Sequence, residues 1–160
     1  MSMELGMIGL GRMGANMAER LSRGGHRVVG FARNADTRRL AADKGVVPAA
    51  SLEALVDELK TPRAVWLMVP AGEPVDQTIA ALLPQLAPGD VMIDGGNSNY
   101  KDTQRRARML AGNQIHYVDA GTSGGVWGLK NGYSIMVGGD EQVIERLRPI
   151  FETLRARPGA

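Results

Sequence analysis

The sequence contains no cysteine, which excludes disulfides, thiolate nucleophiles and cysteine-ligated metals. Its two histidines, His26 and His116, are far apart in the chain and argue against a histidine-rich metal site. No apolar run exceeds residues 64–71, far short of the ~18 residues of a membrane span. The N-terminus lacks the basic n-region and long apolar core of a secretory signal. Nor does one charge dominate. Nineteen basic and 17 acidic residues leave a net +2, without the clustered basic stripe that nucleic acid requires. The expectation is a soluble, cytoplasmic domain with no nucleic-acid or membrane partner.

The length, 160 residues, suits one domain and a real core, burying roughly 68–70% of the unfolded surface. Hydrophobic residues at 44% and charged residues at 22% exclude a disordered chain. Glycine stands out, with 21 residues, about twice the usual ~7%. The glycines have no three-residue period, so collagen is excluded. They cluster at 6–14, 95–96, 121–128 and 138–139, as tight turns or points of ligand approach would require.

Short apolar runs alternate with helical periodicities. Strands are expected over residues 3–8, 27–32, 46–47, 64–69, 91–94, 115–119 and 133–137. Helices are expected over 12–23, 36–44, 52–59, 75–83, 100–110 and 141–154. Gly45 reads as a C-cap and Ser51 as an N-cap. The uninterrupted apolar run 64–69 fits a strand buried on both faces. Strands separated by helices imply βαβ units with right-handed crossovers. The fold class is therefore α/β, a Rossmann-type doubly wound, mostly parallel sheet with helices on both faces. Residues 1–154 read as this Rossmann-type domain, and the patternless 155–160 as a tail or linker start. The last helix presents Val143, Ile144, Leu147, Ile150, Phe151 and Leu154. That face is wider than a surface helix needs, so part of it near Phe151 and Leu154 is expected to be exposed for association.

Gly9-Leu10-Gly11-Arg12-Met13-Gly14 matches G-x-G-x-x-G between a predicted strand and a predicted helix, the context that makes the pattern informative. Gly9 permits the tight turn, Gly11 lets a pyrophosphate approach the backbone, and Gly14 lets helix and strand pack closely. Free N–H groups at the helix N-terminus then hold the phosphates. The plainer alternative is a glycine-rich turn that binds nothing. The second strand ends in Ala32-Arg33-Asn34, where an acid would have bonded the ribose 2′-hydroxyl of NAD. Arg33 suits a 2′-phosphate instead, which favours NADP and leaves NAD open; stacking on adenine and plain solvation remain alternatives.

Two further stretches fall at the carboxyl ends of later strands, where open parallel sheets bind ligands. They are Asp94-Gly-Gly-Asn-Ser-Asn-Tyr-Lys-Asp-Thr103 and Gly121-Thr-Ser-Gly-Gly-Val-Trp-Gly128. With the N-terminal G-L-G-x-M-G, these runs resemble the cofactor domain of 6-phosphogluconate dehydrogenase (decarboxylating), within the β-hydroxyacid dehydrogenase superfamily. The match runs over residues 3–154. The D-G-G-N-S-x-Y-x-D-T run is the more specific, while the G-T-S-G-G-V-W-G run resembles a shorter, NAD-preferring bacterial subgroup.

The resemblance implies that Asn97 lies at the substrate–nicotinamide junction. It implies that Ser123, Gly124 and Gly125 contact the sugar acid, and that Val69, Pro70 and Ala71 line the adenine–ribose side. The family often has Lys at the place of Pro70. Its NADP-type pattern at 32–34 is Asn-Arg-Thr/Ser, of which only Arg33 is retained. The implied reaction belongs to the pentose phosphate pathway and gluconate utilization. Hydride passes from C3 of 6-phosphogluconate to the nicotinamide, CO₂ is lost, and the enediol is reprotonated to ribulose 5-phosphate. The family's catalytic Lys and Glu, and the all-helical dimerisation domain, would lie beyond residue 160, so the chain alone is expected to be inactive. A full-length form would be a homodimer or larger.

The alternatives are 3-hydroxyisobutyrate dehydrogenase or another superfamily member, and a stand-alone dinucleotide sensor. Plainer roles stand beside the implied ones. Asn97 and Ser98 suit capping of the 100–110 helix, and Gly124-Gly125 suits a simple turn. Lys130 and the group Asp102, Arg105, Arg106 and Arg108 read as solvated charge, and His116 as packed or surface.

Overall fold

Four consecutive apolar residues, Ala64–Leu67, are buried because both their faces are covered. Ala64 and Trp66 enter one apolar cluster, and Val65 and Leu67 enter a second. This strand lies in the middle of a seven-stranded sheet. The computed structural model describes residues 2–156. In chain order the elements are β1 (Glu4–Ile8), α1 (Arg12–Arg23), β2 (Arg27–Phe31), α2 (Ala35–Ala42), β3 (Val47–Ala49) and α3 (Leu52–Asp57). Then come β4 (Ala64–Leu67), α4 (Glu73–Leu82), β5 (Val91–Asp94), α5 (Tyr100–Ala111), β6 (His116–Ser123) and the short α6 (Gly128–Asn131). The chain continues through β7 (Ser134–Gly138), α7 (Glu141–Arg146) and α8 (Arg148–Leu154).

The strand order is β3-β2-β1-β4-β5-β6-β7, parallel except that β7 runs antiparallel to β6. The fold is thus the expected α/β Rossmann type. The register aligns Phe31, Ile8, Leu67, Asp94 and Asp119 in one row across five strands. The carboxyl ends of those strands therefore finish level, except that β6 runs on to Ser123. Between β1 and β4 the order reverses, and the crossovers leave toward opposite faces. A doubly wound sheet opens its ligand crevice at that point.

The 141–154 segment forms two helices where one is expected. Pro149 has no N–H, and its ring would clash with the carbonyl four residues back, so the helix is interrupted at Leu147. The expected exposed patch is absent as well. Phe151 is 3% exposed and Leu154 is fully buried. Phe151 meets Trp66 edge-on with ring centres 6.0 Å apart. Pairing also continues past the expected boundary at 154. Tyr133 N–H donates to the Leu154 carbonyl at 2.8 Å, and Ala156 N–H donates to the Tyr133 carbonyl at 3.0 Å. The rest of the expected tail, from residue 157, lies outside the described residues.

Arg20 of α1 reinforces this corner. Its guanidinium donates to the carbonyls of Leu129 at 3.1 Å, Thr153 at 2.8 Å and Arg155 at 3.2 Å.

Candidate functional site

The β1–α1 turn shows two different reasons for glycine. Gly9 has φ +97°, and a β-carbon there would overlap the Met68 carbonyl. A β-carbon on Gly14 would overlap the Gly9 carbonyl. Both glycines are required by the chain's own packing. Gly11 is not: it has an ordinary φ of −65°, is exposed, and its β-carbon would meet nothing within 4 Å. It is the N-cap of α1, whose first turn holds no acidic side chain and whose cap makes no side-chain hydrogen bond. The first N–H groups of a helix have no intrahelical acceptor, so this turn presents donors to open space. Leu10 is buried beneath it, while Arg12 is exposed and Met13 half-buried.

At the end of β2, Ala32 is half-buried and Arg33 is exposed. Asn34 is committed to α2 as its N-cap, accepting from Asp36 N–H at 2.8 Å and Thr37 N–H at 3.1 Å. Arg38 turns back and donates to the carbonyls of Ala32 and Arg33 at 2.6 and 3.0 Å. Asp36 pairs with Arg39 at 2.9 Å. Of the charged side chains near this strand end, that of Arg33 has no hydrogen-bond or ion-pair partner among the described residues.

After β4 the chain crosses to the next glycine pair. Val69 lies beside Gly9, and its carbonyl is 2.7 Å from where a β-carbon on Gly96 would stand. Pro70 and Ala71 are exposed. After β5, Asn97 takes a left-handed conformation, φ 56°, and is exposed. Its Oδ1 lies 3.3 Å from the would-be β-carbon of Gly121 on β6, so these two strand ends meet. Neither Asn97 nor Ser98 caps α5. Asn99 does, accepting from Lys101 N–H at 2.8 Å.

Ser98 belongs to a buried network that sequence reasoning missed. Asp94, fully buried, accepts from Gly96 N–H at 2.9 Å, from the Ser98 hydroxyl and from the Tyr117 phenol at 2.6 Å. Ser98 Oγ in turn accepts from Arg106 Nη1 at 3.0 Å. Arg106 is not on a solvated face; it is fully buried. Nε and Nη2 grip the two oxygens of Asp76 on α4 at 2.9 and 3.2 Å, and Nη2 also donates to the Gly72 carbonyl at 3.1 Å. The Arg106 hydrogen bonds, helped by Arg105, lower the Asp76 carboxyl to about 2. Burial, then Asp94, pushes the Tyr117 phenol well above its ordinary value. The available signal was spacing: Arg106 lies four residues before Leu110 on the inner face of α5.

At the end of β6, Ser123, Gly124 and Gly125 are all exposed. A β-carbon on Gly124 would lie 2.7 Å from the Tyr133 ring, so this glycine has a packing reason. Gly125 has φ +53° and open space around it. Lys130 is exposed and His116 half-buried, as expected. Asp119, beside Asp94 in the sheet, has a carboxyl held above its ordinary value by burial and then by the Asp94 charge.

The residues singled out thus line the carboxyl ends of the strands, with Arg33 on the β2 side and Ser123–Gly125 on the β6 side. Residues 4–157 match a family model described as the NAD binding domain of 6-phosphogluconate dehydrogenase. The chain belongs to that family. A decarboxylating, NAD(+)-dependent 6-phosphogluconate dehydrogenase of Haloferax volcanii is 44% identical over 98% of this chain and 51% of its own length. A decarboxylating, NADP(+)-dependent 6-phosphogluconate dehydrogenase of Bacillus subtilis is 42% identical over 96% of this chain and 34% of its own. The chain therefore spans about half of one relative and a third of the other. Among solved structures, a Mycobacterium tuberculosis 3-hydroxyisobutyrate dehydrogenase with L-serine superimposes with a TM-score of 0.89. It is 31% identical, over 97% of this chain and 53% of that one. The domain is thus an NAD(P)-binding Rossmann domain of an oxidoreductase family, and its nearer sequence likeness is to the phosphogluconate enzymes. Relatives named for each dinucleotide align at nearly equal identity. No helix among the described residues is long and apolar enough to cross a membrane.

Proposed function

We propose that this domain binds a nicotinamide dinucleotide across the carboxyl ends of β1, β2, β4 and β5, as the cofactor half of a decarboxylating 6-phosphogluconate dehydrogenase. Gly11 carries the reading. Gly9 and Gly14 lack side chains because the chain fills the space, but at Gly11 the space is empty. A β-carbon there would obstruct only something outside the protein, and the helix N-terminus behind it favours a phosphate. Leu10, Arg12 and Met13 complete that turn. Val69, Pro70 and Ala71 line the adenine–ribose side, with Ala32 and Asn34 framing its rim.

Arg33 selects NADP over NAD, because its side chain is unpaired among the described residues, exposed and not opposed by an acid at position 32. Asn97 stands at the junction of nicotinamide and substrate, where its carboxamide can both donate and accept. Ser123, with the backbone of Gly124 and Gly125, holds the sugar acid, a 6-phosphogluconate-like molecule. The bound dinucleotide supplies the hydride acceptor, and these residues bind and orient the two reactants.

Titration calorimetry with NAD and NADP tests the assignment. The chain is expected to bind at least one of them, and Gly11→Val to abolish binding. Unchanged affinity in that variant overturns the reading.

A further inference from the structure

Two of the segments that line the proposed site have no regular structure to hold them. Residues 69–72 follow β4, and residues 95–99 follow β5. Asn97 is exposed and left-handed, and its side chain makes no hydrogen bond to any described residue. Within its own segment, Asp94 holds Gly96 and Ser98 on either side of it. Arg106 extends that grip to the neighbouring segment. Its planar fork reaches Ser98 with one nitrogen and the Gly72 carbonyl with another, while Asp76 fixes its orientation.

We infer that Arg106 is a positioning residue for the dinucleotide site, setting the spacing of the 69–72 and 95–99 segments and thereby holding Asn97 against Gly121. The inference rests on the function proposed above. The geometry requires an arginine, since an ammonium is a point charge and cannot span three acceptors in a fixed plane. Loss of Arg106 also lowers stability, because Nη1 lies 3.6 Å from Oδ2 of the buried Asp94 and a buried charge left without its partner is destabilising, so stability and binding are read separately. Other contacts of the network survive its loss. Asp76 would keep Arg105 at 3.1 Å, and Asp94 would keep Gly96, Ser98 and Tyr117.

The test uses the 160-residue chain with NAD and NADP as probes. Arg106→Met and Arg106→Lys are expected to lower the urea midpoint and, in the folded chain, to weaken dinucleotide binding roughly tenfold to a hundredfold, the scale at which small misplacements act. Amide exchange at residues 96–99 should accelerate without ligand. Asn97→Ala should cost less affinity in the Arg106→Met background than alone, a coupling that a purely structural arginine does not produce. Ser98→Ala cuts the same link while leaving the Arg106–Asp76 pair intact, and it decides the matter if both Arg106 variants fail to fold. Wild-type affinity in Arg106→Met or in Ser98→Ala, or strictly additive losses, overturns the inference. Failure of the wild-type chain to bind either dinucleotide overturns the proposed function instead, and the inference with it.

Discussion

The carbonyl oxygen of Gly9 occupies the place where a β-carbon on Gly14 would stand. Adding that carbon forces α1 away from β1, and overpacking of this kind costs ~1–3 kcal/mol. Gly14→Ala should therefore lower the urea midpoint. Gly11→Val should lower the midpoint less, by the loss of a better N-cap residue, while removing dinucleotide binding. Equal destabilisation by the two variants would show that Gly11 is a packing glycine too.

On the proposed reading, Arg33 separates the two cofactors. A lost charge-assisted hydrogen bond costs ~1.5–3 kcal/mol, so Arg33→Ala should weaken NADP roughly ten- to a hundredfold and NAD far less. Calorimetry on both ligands reads the difference. Parallel losses would assign Arg33 to stacking on the adenine.

His26 gives stability a pH dependence. It is buried, with Nδ1 accepting from Met3 N–H at 3.0 Å and Nε2 2.7 Å from Thr153 Oγ1, whose own proton goes to the Pro149 carbonyl. Burial lowers its pKa from the ordinary 6.5, so the unfolded chain takes up the proton first. The contribution of His26 is complete above 6.5 and is lost as pH falls through the lowered folded value. Urea midpoints between about pH 7.5 and 5 should fall in the wild type and fall less in His26→Gln. Identical slopes in the two proteins would remove His26 from the account.

Phe151 is internal, so its loss should act on stability and not on association. Phe151→Ala should cost ~3–5 kcal/mol without altering the sedimentation of the folded chain. A variant of wild-type stability and altered oligomeric state would show that the ring faces a partner.

The chain by itself should not reduce NAD or NADP with 6-phosphogluconate. Positioned acids and bases contribute ~10²–10⁴-fold each. The chain spans about half of one relative and a third of the other, and Lys130 is exposed on a one-turn helix. Absorbance of the reduced nicotinamide is the measurement. Sustained turnover would make Lys130 the first residue to replace.

Much of the fold was legible because its signals are local. Met17, Ala18 and Leu21 recur at helical spacing between Gly11 and Gly24, and α1 spans the expected residues. The Ala64–Leu67 run reads as a central strand because nothing polar interrupts it. The break at Leu147 was missed because the apolar spacing survives it, and Val143, Ile150 and Leu154 still face inward. At the site, the glycine motif was readable because its context is local as well. The cap was misplaced because residues 97–99 are all good capping types, and only the observed start of α5 selects Asn99. Arg106 was misread because a charge on a helix normally marks the outer face, and its partners Asp76, Ser98 and Gly72 come from two other segments.

The carbonyl clasp of Arg20 bears on how the molecule comes apart. C-terminal helices ordinarily fray first. Here α8 and the residue after it cannot peel away without taking the Thr153 and Arg155 acceptors from a part-buried guanidinium on α1, and α6 holds the others, Leu129 and Lys130. The beginning and the end of the described chain are thereby fastened into one opening unit. Its amides should exchange together with those of α1, at the free energy of a cooperative subglobal event and not that of a loose end.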